Sequence, residues 1–323
     1  MLLWGEKMDY SLLKQKLSSI DYKFKERYEK IDKEKIKNVL FDITGNPIKL
    51  KKLHEDEIEK QTLGCGIVGV DGSINSYGGL YPHYISIIQA LSKSTKEKED
   101  IILQDVYVPL FEEDDGQIGD EARRRAMMSR LEIEAATIAI DKFQSKVILM
   151  DGSLMHYSID CSSEWEKFKR KAVIKNKIII GVTEEVKTKD IINIIGSKIN
   201  IGCETFYDRD LLFGLLNMGE MLLLEGNIKT KKTESGIKSC YIRLSEDPQV
   251  AGLDFIEEQY EEALSYCDLI YTLTPLKGRG IPFWLDVVDK EVKITDDMVK
   301  SLVESAISRD IRERILNPKR SKR

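Results

Sequence analysis

The sequence predicts an α/β fold in which a mixed β-sheet is flanked by helices and preceded by a helical N-terminal extension. Short apolar runs rich in β-branched residues alternate with longer stretches whose apolar residues recur every three or four positions, the patterns of strands and of helices. The 323 residues, 42% of them hydrophobic, suffice for one large domain with additions. Neither a Pro/Ser-rich linker nor an internal repeat divides the chain. We therefore expect a helical arm over residues 1–60 and a single domain over residues 61–323.

The N-terminal segment 9–40 is highly charged and predicts one long helix or two. Its apolar side is marked by Leu12, Leu13, Leu17, Ile20 and Tyr22. Because the segment has no sustained heptad repeat, we favour a helical arm that docks on the body or on a second subunit over a coiled coil.

The character of the chain changes at Gly64. The run CGIVGVDGS predicts a buried strand followed by a tight turn at Asp71-Gly72-Ser73. The segment GGLYPHYISIIQALS predicts a second strand or the start of a helix, and DIILQDVYVPL predicts a further strand. The acidic segment EEDDGQIGD that follows is predicted to be an exposed loop.

A helix is predicted from Glu121 to about Phe143, and KVILMDGSL then repeats the earlier pattern of an apolar strand followed by Asp-Gly-Ser. Further helices are predicted for SSEWEKFKRKAV, KDIINII, DRDLLFGLLNMGEML, residues 258–267 and a last segment from about Thr295 to Ile315. Further strands are predicted for KIIIGVT, CYIRL and LIYTL. This alternation indicates a mixed sheet covered by helices.

Composition narrows the kind of site that the chain can build. No run approaches the roughly 20 apolar residues that cross a bilayer, and a secretion signal is absent, so we expect a cytoplasmic protein without membrane contact. The five cysteines form no CxxC pair and only three histidines exist, which argues against a zinc site. The net charge of −5 does not indicate nucleic-acid binding, although basic residues cluster locally, as in Arg123–Arg125. A bound metal would therefore depend on carboxylates.

Two carboxylates follow buried strands in matching contexts, Asp71 in IVGVDGS and Asp151 in VILMDGS. Sites in open α/β sheets gather at the carboxyl ends of strands, so these two side chains are expected to converge. Carboxylates that close repel each other unless a divalent cation neutralises them or one of them binds a proton. The alternative is that Asp-Gly is simply a common turn dipeptide.

The helix between these strands carries two further candidates. Spacing at 100° per residue places Glu132 on a stripe that also includes Met128, Ala135, Ala136, Ala139 and Phe143. A carboxylate in an apolar stripe is costly unless it meets a partner or a metal. Glu134 lies nearer the polar border, so Glu132 is the first choice for an inward acid and Glu134 the second. Both could instead be ordinary surface glutamates.

The order strand-Asp, helix-Glu, strand-Asp is that of ribonuclease H-like nucleases, whose carboxylates hold two divalent ions for in-line attack on a phosphodiester. Hard oxygen ligands of this kind select Mg²⁺ or Mn²⁺. The residues alone thus indicate a metal-dependent phosphodiesterase as one plausible function.

A series of short motifs resembles the NurA family of nucleases, in order from about Gly64 to the C-terminus. The matching segments are GVDGS (69–73), RLEIEAA (130–136), ILMDGSL (148–154), YDRDLLFGLLNMGE (207–220), YIRL (241–244) and GIPFWLDVVDKEVKI (280–294). Each motif alone is only moderately specific, and their common order makes the resemblance considerably stronger.

The resemblance implies roles for individual residues. Asp71, Asp151 and Glu132 (or Glu134) fall on the metal-binding acid positions of the family. A family tyrosine falls on Tyr207, with Tyr241 as the alternative. Where some members end the last motif with a histidine, this chain has Asp289, with Asp286 as a neighbouring rival. His156, just past the second Asp-Gly-Ser, is interpreted as structural.

The resemblance also implies a function. Family members are Mn²⁺- or Mg²⁺-dependent 5′→3′ DNA exonucleases, some with single-strand endonuclease activity, that process the ends of double-strand breaks. It implies single- and double-stranded DNA as substrates, a homodimer, and a hexameric HerA-type ATPase as partner. The chain has no Walker A sequence, so ATP-driven motion would come from that partner. The competing hypotheses are a catalytically inactive scaffold of the same fold and an actin- or hexokinase-like nucleotide-binding protein.

Overall fold

The computed structural model describes residues 10–29, 31–113, 116–200, 206–224 and 230–316. No helix within these ranges is both long and apolar enough to cross a membrane. The same ranges contain nine strands, numbered β1 to β9 along the chain: Ile48–Lys49, Ile67–Gly78, Tyr84–Ser94, Ile101–Tyr107, Val147–Asp151, Ile178–Thr183, Glu220–Leu223, Ile237–Ile242 and Ala251–Ile256. They form one sheet in the order β1-β7-β8-β9-β6-β5-β2-β3-β4.

Helices flank this sheet. Over the described residues the α-helices, numbered α1 to α14, are Ser11–Tyr28, Lys33–Thr44, Glu55–Gln61, Gly116–Lys142, Leu154–Asp160, Ser162–Ile174, Asp190–Ile199, Asp208–Leu212, Lys231–Glu234, Tyr260–Leu264, Cys267–Leu273, Phe283–Val292, Asp296–Ala306 and Arg309–Ile311. The prediction of a mixed sheet flanked by helices is confirmed.

Three strands at the middle of the sheet run parallel. β2 pairs with β5 and β5 pairs with β6 in parallel, whereas every other pairing in the sheet is antiparallel. The parallel register sets Val70 opposite Met150 and Met150 opposite Gly181. Parallel strands need crossover connections, which explains why α4 lies between β2–β4 and β5, and why α5 and α6 lie between β5 and β6.

The two faces of the sheet are covered by different helices. On one face, α4 buries Ile133, Ala136 and Ala139 in a cluster with Val70 and Met150. The small alanines let α4 approach the strands closely. On the other face, Leu285 of α12 and residues of α10 and α11 pack against the alternate residues of the same strands, which include Ile67 and Leu149. Burial on both faces accounts for the nearly continuous apolar runs of β5 and β6.

The N-terminal region contributes to the sheet as well as carrying helices. β1 pairs with β7 at one edge of the sheet, and α2 buries Ile36 and Leu40 in a cluster with residues of α7. Helix α1, in contrast, has no buried residue. Its C-terminal end is held by Tyr28, whose ring meets Phe206 edge-on at 5.9 Å between centroids.

Several sequence predictions for single elements were wrong. The predicted turn at Asp71-Gly72-Ser73 lies inside β2, which continues to Gly78 and pairs with β3 throughout. The predicted helix 208–222 is a short helix, a turn and then β7, because Gly214 and Gly219 adopt positive φ angles. The predicted strand LIYTL is part of helix α11, and the predicted loop EEDDGQIGD already contains the start of α4 at Gly116, with residues 114–115 outside the described ranges.

Candidate active site

The two strand acids occupy equivalent positions on neighbouring strands. The parallel register places Val70 opposite Met150, so Asp71 and Asp151 are the next residue on each strand. Adjacent strands lie about 4.8 Å apart, and side chains in phase point to the same face. The sequence prediction that these two carboxylates converge is therefore met by the backbone alone.

Glu132 approaches the same place from α4, on the opposite face of the sheet. Only 3% of this residue is exposed, and Tyr157 of α5 donates a hydrogen bond to its Oε2 at 2.6 Å. The approach depends on Gly72, because a Cβ atom there would lie 2.2 Å from Glu132 Oε1. The glycine after Asp71 thus makes room for the helix acid and does not form a turn.

The second helix candidate and the late-motif acids lie farther out. Glu134 is exposed on α4. Asp289 of α12 has a side chain 52% exposed, although it is near enough for its charge to raise the pKa of both Asp71 and Asp151. Asp286 is held by Arg279, whose Nε and Nη2 donate to its Oδ1 at 3.0 and 2.6 Å. Asp289 lies 3.9 Å from the same guanidinium and is less closely engaged.

Burial and mutual repulsion raise the pKa of both strand acids. Burial, then the negative charges of Asp151 and Glu132, raise the pKa of Asp71 from 3.8 to about 8. Burial, then Glu132 and Asp289, raise the pKa of Asp151 to about 6, against the lowering effect of Arg279. Near neutral pH and without a cation, Asp71 therefore carries a proton and Asp151 is ionised. The positive charge of a bound divalent cation would offset the repulsion between these carboxylates.

The chemistry of these donors fits a hard divalent cation, since carboxylate oxygens are the ligands that Mg²⁺ and Mn²⁺ prefer. Over the described ranges, however, no three His, Cys, Asp or Glu side chains are arranged to hold one ion together. Asp71 accepts the amide hydrogen of Gly72 at 2.7 Å, and Glu132 is turned toward Tyr157. Binding a cation would require these carboxylates to turn toward each other.

The tyrosine that donates a hydrogen bond to the candidate ligand Glu132 is Tyr157, which the sequence did not indicate. Tyr207 is the N-cap residue of α8, is 46% exposed, and has Lys189 over its ring at 4.8 Å. Tyr241 is buried and its hydroxyl lies 2.9 Å from Thr188 Oγ1. The contacts described for both involve the α7–α8 region. Tyr157 instead binds Glu132, and the only signal for it was that a buried glutamate needs a donor.

A groove of about 830 Å³ opens beside the turn that follows Asp151. Its wall includes Ser153 and His156 from the segment that follows Asp151. The charged residues of the wall are Arg125, Glu184, Glu185, Lys187 and Lys232. His156 Nε2 lies 3.8 Å from Glu132 Oε2, closer to the acids than its interpretation as a structural residue implied. The groove thus presents charges of both signs next to the turn that follows Asp151.

The fold is the ribonuclease H-like mixed sheet that the sequence predicted, with Asp71 and Asp151 where the parallel pairing of two central strands ends and Glu132 beside them. Comparison with protein-family models identifies the family. The NurA domain model matches residues 65–294. The chain belongs to the NurA family, and the resemblance found in its motifs is confirmed.

Solved structures agree on the fold. A NurA crystal structure with bound dAMP and manganese superimposes with a TM-score of 0.57 at 12% identity, covering 92% of this chain and 98% of that one. A second NurA crystal structure gives a TM-score of 0.56 at 12% identity, covering 94% and 99%. No curated protein sequence matches this chain significantly.

Proposed function

We propose that this protein is a divalent-metal-dependent DNA nuclease that hydrolyses phosphodiester bonds. The observation that carries the proposal is the placement of Asp71 and Asp151 at the same register position of two parallel strands. Glu132 of α4 packs against Gly72, the residue after Asp71. Membership of the NurA family supports it. A NurA of the same fold has been crystallised with manganese, which favours Mn²⁺, while the same oxygen ligands also suit Mg²⁺.

The acids would act as metal ligands. Asp71, Asp151 and Glu132 would hold the ions, and Asp289 is the outer candidate ligand. Bound divalent ions would supply a nucleophile from water at neutral pH and stabilise the departing oxygen. Tyr157 fixes the carboxylate of Glu132 by its hydrogen bond at 2.6 Å.

The groove residues would serve the substrate. Arg125 and Lys187 line the groove, with side chains 57% and 77% exposed, and each is paired with a carboxylate, Asp160 and Glu185 respectively. Exposed pairs of this kind are weak, so both cations can turn to neutralise phosphates without regard to base sequence. Contacts of this kind fit both single- and double-stranded DNA. They predict that affinity falls as salt concentration rises.

Cleavage of labelled DNA tests the proposal. The wild-type protein should cut labelled single- and double-stranded DNA only when Mn²⁺ or Mg²⁺ is present. Asp71→Ala and Asp151→Ala should abolish cutting and keep the circular dichroism spectrum. A variant that cuts at the wild-type rate would refute this site. A scaffold without catalysis would bind DNA and leave it intact, and an actin-like protein would bind nucleotide instead.

Polarity and partner follow from the family resemblance. We propose 5′→3′ exonuclease action, with single-strand endonuclease activity as a second mode, in the processing of double-strand-break ends. The proposed partner is a HerA-type hexameric ATPase, which would supply the ATP-driven motion for which this chain has no Walker A sequence. Substrates labelled at the 5′ or the 3′ end, with and without such an ATPase, distinguish the polarity and the dependence on the partner.

A homodimer is proposed on the surface of α1. Leu13, Leu17, Ile20 and Phe24 recur at intervals of four, three and four residues and are each about half exposed. A helix of this length is only marginally stable alone, and such a stripe packs well against a helix of the same kind. Light scattering should show that Leu17→Asp dissociates the dimer. The sequence analysis put Tyr22 on the apolar side of this helix, which was wrong, because at 100° per residue it lies on the side of α1 opposite Leu13. Tyr22→Asp should therefore leave the protein dimeric, and equal masses for the two variants would contradict this interface.

A further inference from the structure

A further buried carboxylate lies beside the turn that follows Asp151, and both of its oxygens accept hydrogen bonds from other residues of the protein. Asp254 of β9 has no exposed surface. Its Oδ1 accepts hydrogen bonds from Lys232 Nζ at 2.6 Å and from Ser239 Oγ at 2.7 Å. Its Oδ2 accepts from Ser153 Oγ at 2.6 Å and from the Leu154 amide at 3.0 Å. A buried charge with this many donors holds its neighbours in a defined arrangement.

Two of these donors belong to the residues that directly follow the candidate ligand Asp151. β5 ends at Asp151, Gly152 turns the chain with a φ of 102°, and Ser153 is the N-cap of α5. The Gly152 amide donates to the Val182 carbonyl at 2.8 Å. A Cβ atom on Gly181 would lie 2.8 Å from the Gly152 carbonyl oxygen, so the turn rests directly on β6.

Lys232 supplies the charge that makes this arrangement stable. It reaches Asp254 from α9, and its side chain is 13% exposed in the wall of the groove. If Lys232 is removed, the negative charge of buried Asp254 is left without its positive partner, and the groups that bind Asp254 then rearrange. The turn after Asp151 is the segment that would move, because it contributes both Ser153 and Leu154 to Asp254.

We propose that Lys232 and Asp254 are positioning residues for Asp151: their ion pair fixes the turn at residues 152–154 and so aims the Asp151 carboxylate at the cation. The inference rests on the proposed function for the role of the cation. It assigns neither residue a contact with the reacting atoms. Groups that orient metal ligands from behind commonly change metal affinity or activity by about 10–100-fold when they are removed.

The main test uses Asp254→Asn, which keeps the size of the side chain and removes its charge. In the folded variant, calorimetry should show Mn²⁺ binding weakened about 10-fold or more, and kcat for DNA cleavage should fall similarly with KM little changed. Lys232→Met should reproduce this result, and Lys232→Arg should restore most of the affinity because it keeps the charge. Ser153→Ala, a milder change that removes one bond and keeps the ion pair, serves if the other variants fold poorly.

A matched control separates positioning from simple loss of stability. Asp120 is another buried carboxylate, bound by the hydroxyls of Tyr84 and Tyr107 and lying 3.3 Å from Arg124 Nε. It stands on α4 three turns before Glu132. Asp120→Asn should lower the free energy of unfolding and leave both Mn²⁺ affinity and kcat unchanged.

Two outcomes would overturn the inference. One is a folded Asp254→Asn or Ser153→Ala protein with wild-type Mn²⁺ affinity and kcat. The other is an equal loss of affinity in Asp120→Asn. Failure of the proposed function is a different result, in which the wild-type protein binds Mn²⁺ but cuts no DNA; the comparison of Mn²⁺ affinities still tests the positioning.

Discussion

Replacing Gly72 with alanine tests how closely the helix acid approaches the sheet. The added methyl group would lie 2.2 Å from Glu132 Oε1 and 2.9 Å from Met128 Cγ, well inside normal contact distance. The methionine can move aside, but the carboxylate has to retreat by about 1 Å and loses its geometry with Tyr157. We expect destabilisation of about 1–3 kcal/mol from overpacking. We expect cleavage to fall about 100-fold, the typical result of a misplacement of this size.

Urea unfolding and Mn²⁺-dependent cleavage of end-labelled DNA measure the two effects. Gly252→Ala is the stability control, because its methyl group would lie 3.6 Å from Thr183 Cβ in the same sheet and should change stability little. In a Glu132→Ala background the cost of Gly72→Ala should shrink, since the clash is with the removed carboxylate. Wild-type cleavage by Gly72→Ala, or an equal stability cost in both backgrounds, would refute the close approach.

Three further predictions concern the same acids. Without metal, Asp71 keeps a proton in the folded state up to a pKa of about 8, whereas the unfolded chain releases it near 3.8. The free energy of unfolding should therefore fall as pH rises from 4 to 8, by up to about 1.4 kcal/mol per pH unit from this group. Asp71→Asn should flatten this pH dependence when it is measured in EDTA, and parallel pH profiles for the variant and the wild type would contradict the prediction. Glu132→Gln should reduce cleavage far more than Glu134→Gln, because only the first side chain is buried beside the strand acids; the reverse order would move the helix acid by two positions. Tyr157→Phe should destabilise by about 1–3 kcal/mol in urea, since it leaves the carboxylate of Glu132 without its donor; an unchanged midpoint would show that another group replaces the hydroxyl.

Much of the site could be predicted because strand and helix periodicity is a local property. The strands before Asp71 and Asp151 and the inward direction of Glu132 follow from apolar spacing alone. The structure buries Glu132 and leaves Glu134 exposed, as that spacing favoured. The convergence of the two aspartates required only that equivalent strands run side by side.

The errors came from features that depend on distant parts of the chain. Asp-Gly is usually a turn, and only the position of Glu132 on another element shows why a glycine is needed inside β2. LIYTL is apolar and β-branched, but a short apolar run does not distinguish a strand from a buried helix. β9 was not predicted because its central residue is Asp254, whose burial depends on a lysine 22 residues earlier.

The late position of helix α12 in the sequence determines when, during synthesis, the two strand acids become buried. It begins at Phe283 in a chain of 323 residues, and its Trp284 and Val288 pack against Gly69, two positions before Asp71. During synthesis both strand acids therefore leave the ribosome long before the helix that covers them. Until that helix docks, water reaches this face of the sheet, and the burial that raises the pKa of both acids is incomplete. The raised pKa values of the two acids are thus acquired only when the C-terminal part of the chain folds onto the sheet.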